Sequence, residues 1–78
     1  MREKKRKLVI TFHTTTDAMA MEKFCRGKGL PGRLIPVPQQ ISVGCGMAWR
    51  AEPGEEPSLR QAIEAAGLTV EGYYEVLM

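Results

Sequence analysis

The spacing of apolar residues changes along the chain, and each change predicts an element. Between Leu8 and His13, Leu8, Ile10 and Phe12 take one face while Val9 and Thr11 take the other. β-Branched residues at this density predict a strand, central in its sheet because both faces are largely apolar. Thr14, Thr15 and Thr16 then offer capping hydroxyls, and Asp17 brings negative charge to a first helical turn. Ala18, Met21, Phe24 and Cys25 follow at helical spacing, and Gly27 or Gly29 ends that helix. Leu30-Pro31-Gly32 reads as a turn and Arg33–Val37 as a second strand. Pro36 and Pro38 cannot donate ladder hydrogen bonds, so this strand belongs at an edge. Gly46–Ala51 reads as a third strand carrying Met47, Trp49 and Arg50, with Trp49 read as packing.

Pro53-Gly54 breaks the pattern before a second helix starting near Glu55. Leu59, Ala62, Ile63 and Ala66 fall at i, i+3, i+4 and i+7, and Gly67 caps them. Leu68–Leu77 reads as a fourth strand, with Gly72 marking a bulge. The order βαββαβ predicts an α+β, ferredoxin-like fold: a four-stranded antiparallel sheet with two helices on one face. The third strand then lies between the first and second.

With 78 residues, 44% of them apolar and 26% charged, the chain has room for one globular domain with a thin stability margin. Arg2, Lys4, Lys5, Arg6 and Lys7 make up five of the eleven basic residues, opposed there only by Glu3. The remaining residues carry six basic and eight acidic groups, so the body is mildly acidic. The expectation is a disordered basic arm over residues 1–7 and a single domain over 8–78, with the arm solvated and without a nucleic-acid role. The short apolar run Leu8-Val9-Ile10 is neither a signal peptide nor a membrane span. That favours a cytoplasmic protein with reduced cysteines. The two cysteines are 20 positions apart and the chain has one histidine, which argues against a metal site.

Ser42-Val43-Gly44-Cys45-Gly46 holds the candidate chemistry. Gly44 and Gly46 remove side-chain cover from Cys45, leaving an accessible sulfur among backbone N–H groups. Cys25, on the apolar stripe of the first helix, reads as inert core. The βαββαβ layout brings the end of strand one, the start of helix one and the start of strand three to one edge. His13, the N–H groups of Thr14, Thr15 and Thr16, and Cys45 are therefore expected to converge. A helix N-terminus favours a thiolate, and His13 could stabilise it or accept a proton. No Ser/His/Asp set, phosphate loop or carboxylate pair is present, so a one-thiol carrier fits better than a complete catalyst.

Thr11-Phe12-His13-Thr14-Thr15 with Asp17-Ala18, Arg33-Leu34-Ile35-Pro36-Val37-Pro38, and Ile41-Ser42 with Cys45-Gly46-Met47-Ala48 together resemble the selenium/sulfur carrier-like family. The resemblance spans residue 8 to about 76. It departs at Gly44, where a small hydroxyl residue is common, and at Trp49, which replaces an aliphatic residue. The resemblance implies a carrier holding sulfur or selenium on Cys45 as a persulfide or selenopersulfide. Its partners would be donor and acceptor proteins, with no cofactor and no membrane. A homodimer stays open. Two other classes share the topology: a small-molecule regulatory domain, which would tolerate loss of Cys45, and an RNA-binding module, which would need exposed aromatics on strands one and three.

Overall fold

A computed structural model describes residues 5–41 and 46–78. The order is β1 (Arg6–Thr11), α1 (Thr15–Lys28), β2 (Arg33–Pro36), β3 (Met47–Ala51), a short 3-10 turn (Pro53–Glu55), α2 (Glu56–Ala66) and β4 (Gly72–Leu77). The strands form one sheet in the order β2-β3-β1-β4, every neighbouring pair antiparallel. This is the expected α+β, ferredoxin-like arrangement, with β1 central.

The period-2 alternation of β1 decides which layer each residue joins. Leu8, Ile10 and Phe12 face the helices and are fully buried with Ala18, Met21 and Cys25 of α1 and Leu59 and Ile63 of α2. Burying side chains of this size contributes about 1.5–3 kcal/mol each, so this layer holds the domain together. Val9 points the other way, into a smaller cluster with Ile41, Ala48 and Val76, flanked by Ile35, Val37 and Tyr74. The chain after β2 supplies Ile41 to that second cluster. Gln40 reaches the main-chain oxygen of Leu77 at 3.5 Å, so this connection crosses the sheet from the β2 edge to β4. The face opposite the helices is thereby partly covered.

Trp49 is packing, as the sequence suggested. It is almost wholly buried in the helix-side core, and its Nε1 donates to the Pro31 carbonyl at 3.1 Å. Gly32 makes that possible. Its φ of +113° suits glycine, and a Cβ there would overlap the indole nitrogen and lie 2.6 Å from the Arg50 carbonyl. Phe12 and Trp49 both lie under the helices, so neither provides the exposed stacking surface of an RNA-binding module.

Several boundaries differ from the sequence expectation. β1 begins at Arg6, so Arg6 and Lys7 are strand residues, and Lys5 exchanges main-chain hydrogen bonds with Met78. Of the two glycines expected to end α1, Gly29 is the cap, and the helix runs through Gly27. β4 starts at Gly72, because Leu68 closes the end of α2 by donating its N–H to Ile63, and Val70 packs on the helix-side core without joining the sheet. Gly72 is no bulge: the register runs unbroken from Arg6↔Leu77 to Thr11↔Gly72. Its lack of a side chain admits the Tyr74 ring, since a Cβ would sit 3.1 Å from Cε1.

Candidate functional site

β1 ends at Thr11 opposite Ala48 of β3. Two residues beyond Thr11 is His13, and two before Ala48 is Gly46, so both stand at one end of the sheet. The first helix starts from the same end. Thr14 is its N-cap, in extended conformation, and its hydroxyl accepts from the Asp17 N–H at 3.1 Å. The next donor, on Ala18, goes to the Thr14 carbonyl at 3.2 Å. Thr15 and Thr16 occupy the first two helical positions, where N–H groups have no intrahelical acceptor and the dipole is positive. Thr14, Thr15, Thr16, His13 and Gly46 are all exposed. Gly46 has φ +75°, and its carbonyl accepts from Val37 at 2.9 Å, closing the β2–β3 connection at its base. Gly44 and Cys45 lie outside the described residues.

Three further residues join this end, none of which the sequence alone assigned to the site. The Thr11 side chain is fully buried and donates to Glu71 Oε1 at 2.5 Å. Tyr74 donates to the same oxygen at 2.9 Å, and the Glu71 N–H donates to the Thr11 carbonyl at 2.7 Å. These bonds hold the Glu71 carboxyl below the usual carboxylate range. The Thr11 hydroxyl contributes most, then the Tyr74 phenol, with a smaller contribution from the charge of nearby His13. The same bond to Glu71 pushes the Tyr74 phenol up. A threonine between the apolar run Leu8-Val9-Ile10 and Phe12 was the available signal. Its partner lies 60 residues away and is found only through the β1–β4 register. The site edge therefore carries a fixed anion as well as a helix N-terminus.

The other cysteine is placed unambiguously. Cys25 is 1% exposed in the helix-side core, and burial pushes its thiol up to about 11. Among the described residues no group of His, Cys, Asp and Glu could hold a metal ion. No helix among them is long and apolar enough to cross a membrane.

No curated protein and no solved structure matches the chain significantly. A family model does: residues 7–75 match the one described as "Putative Se/S carrier protein-like". That match covers both helices, β2 and β3 in full, β1 from Lys7 onward and β4 as far as Glu75, and it includes Cys45 and Gly46. The chain belongs to this Se/S carrier protein-like family.

Proposed function

We propose that the chain is a small sulfur or selenium carrier whose working thiol is Cys45. The observation that carries the reading is the state of the alternative. The sequence has two cysteines, and Cys25 is sealed in the core with its thiol held protonated. A carrier that holds its cargo on cysteine needs an accessible thiolate, which leaves Cys45. Its chain neighbour Gly46 is exposed at the end of the sheet where α1 begins.

The chemistry asks little of the protein. The Cys45 thiolate attacks the outer sulfur of a donor persulfide. A new S–S bond forms to Cys45, the donor S–S bond breaks, and the donor leaves as a thiolate. Delivery to an acceptor nucleophile is the same exchange in reverse, and no net oxidation occurs. A selenopersulfide donor transfers selenium by the same steps. The positive end of α1 and the exposed donors of Thr15 and Thr16 favour the anionic thiolate and persulfide, and His13 supplies or accepts a proton. Glu71, held ionised by Thr11 and Tyr74, sets the local charge that His13 meets.

Treatment with a small-molecule persulfide donor, alkylation and tryptic mapping test this reading. Cys25 and Cys45 fall in different tryptic peptides, separated by Arg26 and Arg33. The added sulfur is expected on the Leu34–Arg50 peptide. Sulfur on the peptide of Cys25, or on neither, refutes the assignment.

A further inference from the structure

The two edges of the sheet are built differently. β2 is four residues long, ends in Pro36 and is followed by Pro38, devices that discourage pairing. β4 is six residues long and contains no proline, no lysine and one acid, Glu75. The residues at its end, Leu77 and Met78, are among the large apolar side chains left exposed, Leu77 at 54%. Such an edge is a template for another strand.

Hydrogen-bond phase shows which groups that strand would meet. Lys5 and Met78 exchange both of their main-chain bonds, at 3.2 and 3.0 Å. Alternation along an antiparallel pair then turns the N–H and C=O groups of Val76 and Tyr74 towards β1. Those of Leu77, Glu75 and Tyr73 turn outward, where no further strand lies among the described residues. The Leu77 carbonyl accepts from the Gln40 side chain, and the groups of Tyr73 and Glu75 are the ones left for pairing.

We propose that β4 pairs antiparallel with β4 of a second copy, around a two-fold axis at Tyr74, to make a continuous eight-stranded sheet. The occupant is a second copy because the edge complements itself in this register. Tyr73 lies opposite Glu75 of the other copy, and each such pair exchanges outward N–H and C=O groups. Gly72, which has no side chain, lies opposite branched Val76. Each Tyr74 ring leans over its own Gly72, which brings it against Val76 of the other copy on the face away from the helices. Tyr73 carries the Arg60 guanidinium 3.8 Å from its ring centroid, so the incoming Glu75 carboxylate arrives beside a cation. That cation is also bound by Glu56 at 2.7 Å, and Glu75 is 3.4 Å from Arg6 of its own copy. Sliding the axis one residue to Glu75 places two carboxylates directly opposite, which is unfavourable. A domain this small buries a limited core, and pairing the open edge adds to a thin margin. The proposal does not involve Cys45 and stands apart from the carrier reading.

Sedimentation velocity of the full chain under reducing conditions tests it. Dimer is expected to grow with concentration between about 5 and 500 μM, a range spanning ordinary weak to moderate association. A monomer throughout that range overturns the proposal. Glu75→Pro removes an outward N–H while leaving the β1 ladder intact, and is expected to shift the chain to monomer. An unchanged dimer in this variant places the interface elsewhere. Cross-linking reads the register without relying on that variant's folding. In a Cys45→Ser background, Tyr74→Cys is expected to form an intermolecular disulfide on mild oxidation. Non-hydrogen-bonded pairs bring Cα atoms to about 4.5 Å, within disulfide range. Efficient cross-linking through Glu75→Cys in place of Tyr74→Cys overturns the register.

Discussion

Alkylation of the native chain at pH 8 separates its two thiols, and the expected margin follows from the burial of Cys25. Only the thiolate reacts. A cysteine at the ordinary value of 9.0 is about 10% ionised at pH 8, whereas one raised to about 11 is about 0.1% ionised. Ionisation alone thus slows Cys25 by about 100-fold relative to the same residue in the unfolded chain. Its 1% exposure adds a steric barrier that yields only when α1 opens from the sheet. The assay is a time course with iodoacetamide, native and in denaturant, read by intact mass and then by peptide. One label is expected to enter the native chain quickly, on Cys45, with the second requiring denaturant. Labelling of Cys25 within about tenfold of its unfolded rate refutes the burial argument and removes the elimination that points to Cys45.

Further expectations rest on other parts of the structure. Because the folded Cys25 value lies above the unfolded one, the thiol's contribution is intact below about pH 9 and is lost as pH rises towards about 11. Between pH 8 and 10.5 wild type is expected to lose about 2 kcal/mol more in urea than Cys25→Ala, and parallel pH profiles contradict this. Thr11→Val removes a buried donor and is expected to cost about 1 kcal/mol while raising the Glu71 titration midpoint, followed by carboxyl NMR. An unmoved midpoint would show that Thr11 does not hold that carboxylate. Gly32→Ala is expected to cost about 2 kcal/mol or more and shift Trp49 fluorescence, because the new methyl displaces the indole.

How much was legible in the sequence depended on the range of the interactions. The apolar stripe Ala18, Met21, Cys25 and the i, i+3, i+4 pattern of Leu59 and Ile63 are local, and both helices follow them. Alternation in β1 likewise identified it as the central strand. Leu68 and Val70 misled because they are apolar for packing beyond a helix cap, a role alternation does not distinguish from a strand. Ile41 and Gln40, which carry the β2–β3 connection across the sheet, belong to no periodic pattern. The Thr11–Glu71–Tyr74 cluster is set by strand register, and no local pattern encodes it. On the candidate site, His13, Thr14, Thr15, Thr16 and Gly46 could be placed by topology, while the carboxylate beside them could not.

Carriage on Cys45 adds one atom to the chain, and intact mass measures that atom most directly. The chain is incubated with a cysteine desulfurase and cysteine, then weighed with and without reductant, as wild type, Cys25→Ala and Cys45→Ser. Wild type and Cys25→Ala are expected to gain the mass of one sulfur, removed by reductant, and Cys45→Ser to gain none. A gain that persists in Cys45→Ser, or that disappears in a folded Cys25→Ala, contradicts the assignment of Cys45 as the carrying thiol.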